Sequence, residues 1–247
     1  MSIANEIQRL QTAKADIKAA IEEKGVAVGD DTIDTYAAKI GEISGGGDNH
    51  YDTFWDTFQQ NGTRTDYQSA FYGSWWTDEI FRPKYKMQPT RADTMFRQCY
   101  ITDSEKIKQI DFSKCTNISF CFHTLNCEEL GVIDLSSING NVQYMCYYCS
   151  AKKIEKIIIH NGVNLNGTCF QYCRNLESIT FEGEIAYSLS LSNSSLLNDA
   201  SVQNIIDCLA DLTGKTAQTL TLHADVGAKL TDTQKAAITA KNWTLVY

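Results

Sequence analysis

The sequence predicts an α+β chain whose middle is a solenoid of short parallel strands stacked side by side. Three observations predict it. The pattern C-x-x-L-x-x-I-x-[LF] runs from Cys127 through Leu130 and Ile133 to Leu135, and again from Cys173 through Leu176 and Ile179 to Phe181. Looser copies follow Cys99 and Cys149, so Ile110, Ile133, Ile157 and Ile179 recur at steps of 23, 24 and 22 residues. Each copy also carries two apolar residues two apart: Ile110 and Phe112, Ile133 and Leu135, Ile157 and Ile159, Ile179 and Phe181. A period of two places each pair on one face of a strand. No single unit can bury that face, so units stack and share a core.

Before the repeats, residues 1–44 read as a helical hairpin. Ile3, Ile7, Leu10, Ile17 and Ile21 recur at spacings of three and four, a heptad seam with one charged break at Lys14. A second short helix would carry Ile33, Tyr36, Ala37, Ile40 and Ile43 on one face. The seam either docks on the rest of the chain or serves attachment and self-association. Residues 45–50 form a glycine-rich linker around Gly45-Gly46-Gly47.

Residues 51–90 are crowded with rings, and Tyr51, Phe54, Trp55 and Phe58 share one helical face. This segment is expected to close the end of the repeat domain at 91–185. An exposed Trp75 and Trp76 would instead offer a platform for sugars. Residues 186–247 are expected to close the other end as a β–α–β unit. Asn198–Leu212 reads as a helix, Thr219–Leu222 as a strand, Thr231–Ala240 as a helix and Trp243–Val246 as a last strand.

Composition limits the function. The chain has 247 residues, 43% hydrophobic and 21% charged, with 2 prolines, which describes a folded globular protein. A net charge of −8 argues against nucleic acid or an anionic membrane as a partner. The opening MSIANEIQRLQTAK lacks an export signal's apolar run, and nothing approaches the roughly 18–20 apolar residues of a membrane span. Synthesis in a reducing cytoplasm is expected, with the odd count of 9 cysteines left unpaired.

Those cysteines raise the question of chemistry, because Cys146 and Cys149 form a CxxC. Yet Cys99, Cys127, Cys149 and Cys173 align in successive units, where a small apolar thiol can pack inside a stack. Zinc takes four clustered ligands, and no second CxxC supplies them. No metal and no cofactor is expected. Asp111 and Asp134 could be paired acids for glycoside hydrolysis, but repetition accounts for both. His50, His123, His160 and His223 are scattered, and no nucleotide or nucleophile motif is present. The expectation is a protein that binds and is not an enzyme. Its face would be the outward residues of the stacked strands: Asp111, Asp134, Ile158 and Thr180 as one column, flanked by Gln109, Val132, Lys156 and Ser178.

The units resemble BspA-like leucine-rich repeats through Ile110-Asp-Phe-Ser113, Asn117-Ile118, Ile133-Asp-Leu-Ser136, Asn141-Val142 and Met145. The N-terminal segment, MSIANEIQRLQTAKADIKAAIEEKGVAV, is similar to that of phage and prophage tail-associated proteins. The segment from NIIDCLADLTGKTAQTLTL onward resembles the tails of prophage-encoded repeat proteins. The resemblance implies a virion or tail component that binds a protein or glycan on a host cell, joined to other tail proteins through residues 1–44. It defines no catalytic residues. A cell-surface adhesin of the same repeat class is the alternative.

Overall fold

The computed structural model describes residues 3–23, 26–28 and 48–247. It is a mixed α/β chain with short parallel strands and a helical N-terminus. The second predicted helix, with Ile33, Tyr36, Ala37, Ile40 and Ile43, and the run Gly45–Gly47 lie outside the described residues. The chain divides into two compact units between Thr57 and Phe58.

In the first unit, α1 spans Ile3–Glu23. Ile7, Leu10 and Ile17 are exposed along it, whereas Ile21 is buried with Val28 and the partly buried Val26. The ion pairs Arg9–Glu6 at 2.6 Å and Lys18–Glu22 at 3.9 Å run along the same helix. A second helix, α2, spans Asp48–Phe58, beginning inside the stretch read as linker. Trp55 is buried and meets Phe54 edge-on at 5.4 Å, while Phe54 itself is exposed.

The second unit starts at Phe58. Buried Gln59 closes its first turn: Oε1 accepts from the Lys84 and Tyr85 amides at 2.8 and 3.1 Å, and Nε2 donates to the Tyr85 carbonyl at 2.8 Å. Phe71 lies at the centre of the aromatic segment, with Phe58, Trp76, Phe81 and Phe96 at 5.4, 5.0, 4.9 and 5.3 Å. These rings are the interior of this end of the unit.

From Tyr67 onward the backbone repeats one bonding scheme. The amides of Tyr67, Ser69, Phe71 and Gly73 donate to the carbonyls of Arg91, Asp93, Met95 and Arg97. Ala92, Thr94, Phe96 and Gln98 donate in turn to Asn117, Ser119, Cys121 and His123. Phe120, Phe122 and Thr124 donate to Gln143, Met145 and Tyr147, and Cys146 and Tyr148 to Cys169 and Gln171. The aromatic segment therefore supplies the first member of the series. It lies at the start of that series, where the sequence leads one to expect an end closure.

Three strands lie side by side in parallel order β1–β3–β5: β1 is Glu129–Asp134, β3 Lys153–Ile159 and β5 Ser178–Gly183. Two-residue strands β2, Gly140–Asn141, and β4, Val163–Asn164, pair beside them. The stretch at Ile110–Phe112 forms no strand, although both residues are buried. It follows a short helix, α3, Ser104–Lys108, capped by Asp103. That helix packs on β1 at Gly131, where a Cβ would stand 2.9 Å from the Lys108 backbone.

The register corrects the sequence alignment. Ile133 pairs with Ile157 and Ile157 with Phe181, so these core positions are each 24 residues apart. Ile179 sits opposite Ile154 instead, because the β3–β5 register shifts between Ile154 and Ile157. The cysteine alignment shifts too. The amides of Cys99, Cys149 and Cys173 close turns on Phe96, Cys146 and Phe170, and the matching turn closes at Leu125 on Phe122. Cys127 lies two residues beyond that position, its amide bonded to Ser150 Oγ at 3.0 Å.

The last sheet is parallel, in order β6–β7–β8: Leu189–Leu191, Gln218–Leu222 and Trp243–Val246. Helix α4, Asp199–Cys208, is capped by Asn198 and stops four residues short of Leu212. Leu209 turns extended and pairs with Ile185, which takes the backbone out of the helix. Side chains of α4 protect the outer edge of β5: Ser201 Oγ accepts from the Ile179 amide at 2.9 Å, and Asn204 bonds both amide and carbonyl of Phe181. An open strand edge would invite another chain to pair. Helix α5 is Ala224–Gly227; α6, Asp232–Ala240, begins with a Thr231–Gln234 capping box.

Candidate binding face

The strand face is bound up in its own ion pairs. Lys108 holds Glu129 at 2.7 Å, Lys152 holds Glu128 at 2.8 Å, and Lys156 holds Glu182 at 2.5 Å. Register places Asp134, Ile158 and Glu182 in one column, so Thr180 leaves the column predicted for it and lies across from Glu155 and Lys156. Ser178 pairs with Lys153 and not with Lys156. Gln109 and Thr180 are exposed, and Ile158, Lys156 and Ser178 are half-buried.

Asp111 is half-buried and held by the Gln88 amide at 2.7 Å, the Ser113 backbone at 3.1 Å and Lys86 at 3.5 Å. The hydrogen bonds from Ser113 and Gln88 hold its carboxyl well below the usual carboxylate range. Among the described residues Asp134 accepts the turn amide of Ser136, at 2.8 Å, and no other. The two acids thus cap equivalent turns.

All nine cysteines are free thiols, and all but Cys208 are buried. Burial pushes Cys99 and Cys169 up to about 12 and Cys115 up to about 11. Several donate to the carbonyls of the neighbouring unit: Cys99 to Phe71, Cys169 to Val142 at 3.4 Å and Cys173 to Cys146 at 2.8 Å. Cys146 and Cys149 both lie inside this packing. Among the described residues no group of three or more His, Cys, Asp or Glu is placed to hold a metal ion, and no helix is long and apolar enough to cross a membrane.

Trp75 and Trp76 do not face the same way. Trp75 is 64% exposed and its ring lies over Gly73. Trp76 is half-buried against Phe71 at 5.0 Å.

A second surface stands out, formed by the turns of the repeating backbone scheme and not by the strands. In three turns two residues with positive φ point their amides at the next unit, Ser69 and Gly73, Thr94 and Gln98, and Phe120 and Thr124, and in a fourth Tyr148 does so. Tyr144 and Tyr172 share the conformation. A left-handed residue other than glycine costs roughly 1–2 kcal/mol. Here it is repaid by the hydrogen bonds that join units.

The side chains carried by these turns form columns. Phe120 stacks on Tyr144 at 5.0 Å, His123 on Tyr147 at 4.9 Å, and Tyr148 on Tyr172 at 4.3 Å, each pair 24 residues apart. Tyr147 meets Tyr144, Tyr148 and Tyr172 edge-on, which ties the columns together. The Arg97 guanidinium lies 5.6 Å from the Phe120 ring and 5.8 Å from Tyr72, and Arg174 lies 5.6 Å from Tyr172. Tyr72 and Tyr148 are exposed at 41% and 47%. Burial, reinforced by Arg97, lowers the His123 pKa, and Thr124 Oγ1 lies 2.8 Å from its Nδ1.

Sequence reading missed this surface. The signal was available: three ring pairs recur at the repeat step itself, two of them with a member between Cys146 and Cys149. Comparison with protein-family models, curated proteins and solved structures finds no match.

Proposed function

We propose that residues 67–183 stack as a leucine-rich-repeat solenoid of the BspA-like kind and that the chain binds a partner without converting it. In this reading it is a phage or prophage tail component that recognises a host-surface protein or glycan. Residues 1–44 join it to other tail proteins or to further copies of itself.

One observation carries the reading. The same backbone donors and acceptors recur from unit to unit and hold the rings of the turns in columns, so the repeat builds a surface. Tyrosine and arginine are the residues that dominate binding surfaces. The resemblance of both flanks to tail-associated proteins supports the virion setting, and the exposed Ile7, Leu10 and Ile17 of α1 suit attachment.

Two measurements test it. Antibody against the chain should decorate particles released from lysed cells that carry the gene, and bare particles would remove the virion claim. Fluorescently labelled full chain should stain some members of a panel of bacterial cells. Failure to stain any would remove the host-recognition claim.

A further inference from the structure

We infer that the columns of rings on the turns bind an acidic polysaccharide, a chain of sugars carrying carboxylates along its length. The inference rests on the binding reading above and names the ligand class for it. Three observations lead there.

The first is repetition. Phe120 and Tyr144, His123 and Tyr147, and Tyr148 and Tyr172 present rings at separations of 4.3–5.0 Å. That is about the 4.8 Å spacing between neighbouring strands. A surface whose chemistry recurs at a fixed step fits a ligand that recurs along its own length. A sugar polymer does so.

The second is preorganisation and chemistry. Each of the four tyrosine rings is held by a stacked neighbour within its column and a near-perpendicular one across it, so little freedom is lost on binding. Tyrosine offers an apolar body to the C–H faces of a sugar and a hydroxyl that both donates and accepts.

The third is charge. The chain carries a net −8, yet residues 113–127, 135–153 and 159–176 contain no aspartate or glutamate. The acids of these units sit on the strand side, where lysines pair Glu128, Glu129 and Glu182. Arg97 and Arg174 stand near opposite ends of the ring columns, and neither forms an ion pair among the described residues. A guanidinium without an ion-pair partner can take a ligand carboxylate at its exposed atoms.

Calorimetric titration of the full chain with polygalacturonate, hyaluronan and alginate tests this, with cellohexaose and polyglutamate as the contrasting ligands. At least one uronate polymer should bind, at least about tenfold tighter than either contrasting ligand, and the affinity should fall with added salt. The double variant Tyr148→Ala/Tyr172→Ala should weaken binding by about tenfold or more, as loss of an aromatic anchor does. Arg174→Gln, at an exposed position, should weaken it independently, so a folding defect in the tyrosine variant does not decide the outcome.

No binding by any uronate polymer overturns the inference, as does binding that both variants leave intact. Equal affinity for polyglutamate would assign the face to an acidic polypeptide instead. If the full chain stains cells and both variants stain them equally, the ring face is excluded while host recognition stands. If the unaltered chain stains nothing, the broader reading fails first.

Discussion

His123 shows how the environment of one residue sets its behaviour. Burial is the larger cause of its lowered pKa and the nearby Arg97 the second, and both disfavour the imidazolium. As pH falls, the unfolded chain therefore binds this proton before the folded one does. The stability His123 contributes is intact above the unfolded value of about 6.5 and is lost as pH falls through the depressed folded value. NMR titration should find His123 below the ordinary histidine range, and Arg97→Gln should raise it. An unchanged value in the variant would remove Arg97 from the explanation. The thiols give a second residue-scale expectation. With eight of nine buried and their pKa values mostly raised, native protein should expose about one thiol, Cys208, to a disulfide reagent, and denatured protein all nine. Rapid reaction of several thiols in the native state would contradict the packing. The CxxC was legible as packing because thiols recurred in several units. Which cysteine held the shared position was not, since Cys127 matches the C-x-x-L pattern while Leu125 makes the turn.

At the scale of elements, the left-handed turns and one glycine carry the regularity. Gly183 stands where the preceding unit has Ile159; its φ is 109°, and a Cβ there would overlap the Ile159 carbonyl oxygen. Gly183→Ala should lower unfolding free energy by about 3 kcal/mol in denaturant titration, because backbone and not a flexible side chain must yield. A loss within about 0.5 kcal/mol would show that β5 can shift freely. Gln98 is the converse case, exposed, with φ 63°. Gln98→Gly should raise stability by about 0.5–1 kcal/mol, since relief of the left-handed backbone outweighs the added freedom of the unfolded chain. A lower midpoint would mean the side chain contributes more than its exposure suggests. The final β–α–β pattern was readable from the sequence because each of its elements has its own periodicity and cap. The end of α4 was not, because Leu209 and Leu212 continue the helical spacing while pairing with Ile185 takes the backbone away. The helix before Ile110 was equally hidden, since a run of two apolar residues two apart does not distinguish a strand from a buried extended segment.

For the molecule as a whole, the repeat step could be read from sequence through its inward residues, Ile133, Leu135, Ile157 and Ile159, whose burial is a matter of pattern. The outward residues could not be assigned so directly. A one-residue shift in β3–β5 register moved Thr180 out of its predicted column, and the ring face arises on turns, where periodicity in hydrophobicity says nothing. The earlier start of the series is hard to read for another reason: Phe71, Phe96 and Phe122 hold one position in successive units, but Phe71 sits among so many other rings that the repeat does not stand out there. The account depends on those bonds joining distant stretches of chain into one stack. Native-state amide hydrogen exchange measures them directly. The amides of Phe71, Phe96, Phe122 and Cys146, which donate from one unit to the next, should be protected and exchange together, while those of exposed loop residues such as Lys114 and Asn139 exchange freely. Protection confined to β1, β3 and β5, with the ring-bearing turns exchanging at the rate of an unstructured chain, would contradict the proposed stack and the proposed binding face.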